Sequence, residues 1–279
     1  MKRIFAFLKE MYLRFNADKV ADLSAQCAYY FLLSLFPFLL FAITVLIFLP
    51  ITSDDVLRIL AAIAPELSNE IIKTNIHTVL SVKRTGLMSF SVLFMAWSAI
   101  FGIESLVRAI NLAYGIKEQR GFFWSKLLSL ILMAGMIAGI VSAFVFTVFG
   151  AAIGTVMEAY WHLPVQIIAV WNSLRQGVNL VFLNLIFLVL YLVSPTKKVG
   201  ILEAIPGTLF ASFGWHYTSL GFSYYVNNFA NFSATYGSLG AIIVLMVWFY
   251  LSAMVLILGG QINAVLVHLG LWQKRKKRT

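Results

Sequence analysis

The chain has a single cysteine, Cys27, in 279 residues. One cysteine excludes an internal disulfide, and within one chain it excludes a cysteine-held zinc or iron–sulfur site. Its neighbours are apolar, so it reads as a small packed residue. Charge is scarce too: Asp, Glu, Lys and Arg make up 11% of the residues, against about 25% in an average soluble domain. Acids are the rarer sign, 11 against 21 Lys and Arg. Also missing are a Walker-type phosphate loop, a zincin HExxH and a GxSxG nucleophile elbow. A pump carrying its own nucleotide site is therefore excluded. The four histidines (His77, His162, His216 and His268) and the few acids are scattered along the chain. Nucleic-acid hydrolysis usually needs clustered carboxylates with metal, or a histidine pair. No enzyme activity, cofactor or metal is expected. No low-complexity linker or short repeat appears. The first apolar run is too long for a signal-peptide core.

What is present is apolar: 61% of the residues are hydrophobic. From Tyr236 to Leu269 no Asp, Glu, Lys or Arg interrupts the sequence. About 20 apolar residues in a helix cross the ~30 Å bilayer core, so this stretch spans with residues to spare. It carries Gly259, Gly260, Gln261 and Asn263 near its far end, before the basic run Lys274, Arg275, Lys276, Lys277 and Arg278. Five further crossings are expected: 27–49 with Pro37 inside, 87–103, 127–150, 176–193, and 203–225 with Pro206 inside. Residues 1–25 place Phe5, Leu8, Met11, Tyr12 and Phe15 at helical spacing among charges. That is an amphipathic helix, lying in the interface or packed on the bundle's cytoplasmic ends. Residues 50–86 read as an extracytoplasmic helical hairpin, and 163–175 as another interfacial helix. Gly135 with Gly139, and Gly150 with Gly154, have the spacing that permits close helix approach.

The segments before residue 26, at 104–126, at 197–203 and after 269 all carry a positive excess, and the alternate loops are near neutral. Positive residues gather on the cytoplasmic side, so six crossings with both termini cytoplasmic account for every excess. The expected organisation is a cytoplasmic amphipathic helix (1–25), a six-helix transmembrane domain (26–269) and a basic cytoplasmic tail (270–279). The fold class is all-α, a polytopic membrane bundle. Basicity is thus explained by topology, and no nucleic-acid partner is expected.

Uncharged polar groups at membrane depth must find partners within the bundle. They serve helix–helix hydrogen bonding, or they line a cavity; the candidates for lining are Gln26, His216, Gln261 and Asn263. Glu104 and Arg108 have the i,i+4 order of an ion pair, interfacial or functional. The tail Lys274–Arg278 anchors topology or attracts anionic lipid. Membrane lipids are the expected partners, and self-association is left open.

Three stretches carry a resemblance: DLSAQCAYYFLLSLFPFLLF (22–41), INLAYG (110–115) and YGSLGAIIVLMVWFYLSAMVLILGGQINA (236–264). Together they resemble the YihY/BrkB family of membrane proteins, often labelled ribonuclease BN. The resemblance implies that this label is a legacy name. It supplies no catalytic residues. It implies a transporter or exporter of a lipid-like or small amphiphilic molecule in the cell membrane; the alternative is a non-transporting scaffold for envelope proteins or lipids.

Overall fold

Within the charge-free stretch near the C-terminus, Leu239–His268 forms one continuous helix, uninterrupted by proline or charge. The computed structural model describes residues 2–48, 85–116, 120–161, 164–229 and 239–270. These form seven helices and, among the described residues, no strand. They are α1 (Lys2–Ala17), α2 (Val20–Phe48), α3 (Thr85–Ala113), α4 (Phe122–Trp161), α5 (Val165–Val193), α6 (Ile201–Phe229) and α7 (Leu239–His268). The hairpin expected over 50–86 lies outside the described residues up to its last two, with which α3 begins. The tail Lys274–Arg278 also lies outside them. The chain divides into two units, residues 1–29 with 100–279, and residues 30–99.

Among the described residues, three helices are long and apolar enough to cross a membrane: the Phe122–Gly139 part of α4, Gln166–Val193 of α5 and Leu239–His268, the whole of α7. Along α5 the exposed apolar residues Ile167, Val170, Leu174, Val178, Val181, Leu185 and Val189 recur at three- and four-residue steps. A polar solvent would penalise that outward stripe; lipid does not. The chain is an all-α membrane protein.

Three expected boundaries move. No interfacial helix over 163–175 stands apart from the next crossing: α5 runs unbroken for 29 residues. Past Pro164, which starts α5, no proline or second breaker interrupts it, and Trp171 and Arg175 pack on α4 near Gly154 and Gly150. α4 is longer than expected, at 40 residues, or about 60 Å, and contains Glu158. At the other end of the chain, the expected single helix over 1–25 breaks at Asp18 and Lys19. Lys19 takes a left-handed φ of 52°, a conformation unusual for a residue with a side chain.

In the first unit, α7 packs on α6 and α1, α6 on α5, and α5 on α4. The small residues expected to permit close approach do so unevenly. A side chain at Gly139 would collide with Ile186, and one at Gly150 with Arg175, whereas Gly135 faces open space. The tightest approach joins α5, α6 and α7. A Cβ at Gly259 would lie 2.8 Å from the Gly207 carbonyl and would collide with the Tyr191 hydroxyl. In the second unit the Ser34 hydroxyl back-bonds the Phe31 carbonyl at 2.8 Å, one turn before Pro37.

Gly259→Ala is expected to lower the melting temperature of the detergent-solubilised protein, because overpacking costs about 1–3 kcal/mol. Gly135→Ala is expected to leave it unchanged or raise it, since Ala favours a helix over Gly by about 0.5–1 kcal/mol. Equal melting of the two variants contradicts the packing described.

Candidate functional site

The polar residues of α7 cluster in its last third, and each has a defined place. Asn263 is fully buried. Its Oδ1 accepts the Gly207 N–H at 2.6 Å, and its Nδ2 donates to the Ala204 carbonyl at 3.2 Å. Both partners flank Pro206, whose ring lacks an N–H and disturbs the ladder of α6. One carboxamide thus serves the backbone of a helix that its own sequence weakens. Gly207 and Gly259 make the approach possible. The Tyr191 hydroxyl, also fully buried, donates to the Leu256 carbonyl of α7 at 2.7 Å.

Gln261 reaches the other way. Its Nε2 donates to Asp18 Oδ2 at 3.0 Å, at the break between α1 and α2. The amide is fully buried, and its Oε1 has no hydrogen-bond partner. Burial is the main cause that raises the Asp18 carboxyl above the usual 3.8; the bond from Gln261 and the Arg14 charge pull it back. Arg14 donates to Glu10 Oε1 and, at 2.8 Å, to the Ala113 carbonyl at the end of α3. Glu10 is held low by that hydrogen bond from Arg14.

A second group closes the end of α5. Asn111 Nδ2 donates to the Ser194 carbonyl at 3.3 Å, and its Oδ1 accepts the Thr196 N–H at 2.9 Å. The Arg120 guanidinium donates to the carbonyls of Val193, Ser194 and Pro195 at 2.9–3.1 Å. Last-turn carbonyls have no partner within a helix, and Pro195 brings no N–H, so donors come from α3 and the linker after it. Tyr114 lies close by, its phenol pushed up by burial first and by the Glu203 carboxylate second. At the start of α6, Glu203 reaches back to the Gly200 N–H at 3.1 Å, half of a capping box.

The four candidate cavity residues are not brought together. Gln261 and Asn263 are locked in helix contacts, Gln26 is half-buried on α2, and His216 is exposed on α6 beside Tyr217. The i,i+4 pairing of Glu104 with Arg108 gives way to a longer-range one. Glu104 accepts Lys126 of α4 at 2.7 Å, and Arg108 is exposed. Lys126 also stands 4.2 Å from the centre of the Phe101 ring, so α3 offers this α4 cation two partners. Among the described residues no three His, Cys, Asp or Glu side chains form a metal-holding group. Asp18, Tyr191 and Arg120 were not singled out by sequence reasoning. For Arg120 a signal existed: the Ser-Pro end of α5 needs an outside donor. For Asp18 none did, because its partner is 243 residues away.

Asn263→Ala takes the side-chain acceptor from the Gly207 N–H, while the Ala204 carbonyl keeps the Thr208 hydroxyl; a buried group left short costs about 1–3 kcal/mol. Asn263→Asp keeps the acceptor for Gly207 but loses the donor to Ala204. Both variants are expected to melt well below the parent; a parent-like Asn263→Ala removes the bridging role. The raised Asp18 carboxyl sets a pH dependence. With α1 docked, Asp18 binds its proton more readily than in free chain, so docking gains as pH falls through the interval above 3.8 and is complete below it. The protection of α1 amides, after correction for intrinsic exchange, is expected to rise between pH 7 and pH 4 and to lose this dependence in Asp18→Asn. Protection that falls on acidification contradicts the assignment.

A family model described as Virulence factor BrkB matches residues 11–278. The ribonuclease-like protein YfkH of Bacillus subtilis is 41% identical over 272 residues, covering 98% of this chain and 97% of its own length. A UPF0761 membrane protein of Vibrio parahaemolyticus is 28% identical over 269 residues, covering 94% of this chain and 82% of its own. No solved structure matches. With outward apolar helices, a charge-free α7 and a family match from residue 11 to 278, the chain belongs to the Virulence factor BrkB family of membrane proteins.

Proposed function

We propose that this protein moves a lipid-like or small amphiphilic molecule across the cytoplasmic membrane, with six crossings and both termini in the cytosol. The observation that carries the reading is unfilled hydrogen-bonding capacity on the facing helices α6 and α7. Ser212 Oγ, Ser252 Oγ and Gln261 Oε1 are buried without a partner. Each buried polar atom left without a partner costs about 1–3 kcal/mol. A substrate head group would offset that cost by donating to them. Gln261 is the central residue of this wall, and Asn263 keeps α6 in place beside it. The reading contains no hydrolytic step: Glu104 is engaged by Lys126, Asp18 by Gln261, and Glu10 by Arg14.

A second reading is a non-transporting scaffold for envelope proteins or lipids. It is favoured by the tight junction of Gly207, Gly259 and Tyr191, which leaves no room for even a methyl group.

Vesicles holding the purified protein and a trace of NBD-labelled phosphatidylglycerol or phosphatidylethanolamine separate the two. Under transport, dithionite bleaches the inner-leaflet pool at least about tenfold faster than in empty vesicles, and Gln261→Leu removes most of that gain. An inner pool that stays protected for both lipids counts against transport and for the scaffold.

A further inference from the structure

Asp18 and Gln261 meet where α7 passes the break between α1 and α2, and the hydrogen bonding between them is incomplete. Gln261 is fully buried. Its Nε2 donates to Asp18 Oδ2 at 3.0 Å, while Oε1, on the same planar amide, has no partner. An ionised carboxylate cannot serve that oxygen, because it only accepts. A buried acceptor left short is costly, and such an atom calls for a cause. Arg14 does not supply the missing donor, since it bonds Glu10 and the Ala113 carbonyl. The other charged groups on the surrounding elements are exposed: Lys19 and Asp22 about the start of α2, Arg108 on α3 and His268 on α7. The charge of His268 acts on Glu10. Asp18 itself is half-buried, so water reaches its edge. Burial raises its carboxyl above the usual 3.8, against the pull of Gln261 and Arg14, and so favours the form that carries a proton.

We propose that Asp18 and Gln261 form a proton-binding site, in which a proton taken up on the second oxygen of the Asp18 carboxyl is donated to Gln261 Oε1. Acid and amide then share two parallel hydrogen bonds: Nε2–H to Oδ2 as before, and Oδ1–H to Oε1. The proton comes from water at the exposed edge of Asp18. One O–H bond forms, and nothing is oxidised or reduced. A metal cation fits less well, because an amide that binds one offers its oxygen, and here the nitrogen faces the carboxylate. Protonation removes a partly buried charge and fills the empty acceptor in one step. The bond between α1 and α7 therefore tightens in acid and loosens as the proton leaves. Gln261 also heads the α6–α7 wall, so the Asp18 proton and a substrate head group are alternative donors to one oxygen. The proton site does not depend on transport and would exist equally in a scaffold.

Asp18→Asn imitates the protonated acid at every pH: its oxygen accepts from Gln261, and its NH2 donates to Oε1. Asp18→Ala offers neither bond. In the detergent-solubilised full chain at pH 7, Asp18→Asn is expected to protect the α1 amides as well as the parent does at pH 4. That is at least about fivefold above the parent at pH 7, the worth of one hydrogen bond. Asp18→Ala is expected to fall below Asp18→Asn at both pH values. Infrared difference spectra of the parent between pH 7 and pH 4 should contain the carbonyl band of a protonated carboxyl that is missing from Asp18→Asn. In Gln261→Leu that band should move to higher frequency, because its carbonyl loses the Nε2 donor. If Gln261→Leu does not fold, the Asn and Ala comparison carries the test. Asp18→Asn no better protected at pH 7 than Asp18→Ala overturns the site, and so does a parent spectrum without the Asp18 band at pH 4. A gain in protection at pH 7 when sodium chloride replaces choline chloride also overturns it, in favour of a metal cation.

Discussion

A backbone group in hydrocarbon has no water to fall back on, and the junction of α5, α6 and α7 is built around that constraint. Pro206 weakens the ladder of α6 in its second turn. The side chain of Asn263 supplies what the helix lacks there, an acceptor for Gly207 and a donor for Ala204. This can happen only if α7 comes very near, and the absence of side chains at Gly207 and Gly259 permits it. Tyr191 then seals the third side with a bond to the Leu256 carbonyl. Proline, glycines and asparagine form one device: each would be a liability alone, and together they fix the register of α6 against α7.

The same constraint explains the polar end of the first unit. α3 and α5 both finish there with carbonyls in need of donors. Arg14 serves Ala113; Asn111 and Arg120 serve the turn after Val193. Cations suit helix C-termini because the backbone dipole ends there in partial negative charge. These side chains therefore do two things, retaining positive charge at one face and satisfying backbone that would otherwise be orphaned. Asp18 is the acid drawn into this setting, and its bond to Gln261 ties the N-terminal helix to the last one.

The composition made the class of the molecule legible, because a long run without charge allows few other solutions. α7 emerged close to where the sequence placed it, and the family resemblance rested largely on the same stretch. Local pattern also found the approach at Gly139 and Gly150. It did not find what depends on distant partners. Arg175 looked like the end of a surface helix, yet it packs against Gly150 of another helix. Glu104 had an ideal local partner in Arg108 and took Lys126 of α4 instead, a cation that Phe101 of α3 also faces. His216 looked like a group in need of shelter and stands exposed. Charge counts describe a loop's side of the membrane; they say nothing of which carbonyl an arginine will cap.

The apolar span of α5, Gln166–Val193, runs 28 residues, or about 42 Å, against a hydrocarbon depth of about 30 Å. A span longer than the hydrocarbon is accommodated by tilt or by local thickening of the bilayer. The outward stripe from Ile167 to Val189 stays in lipid when α5 leans. Because Tyr191 near the end of α5 donates to the Leu256 carbonyl, the contact that holds that lean is also the one that seats α7.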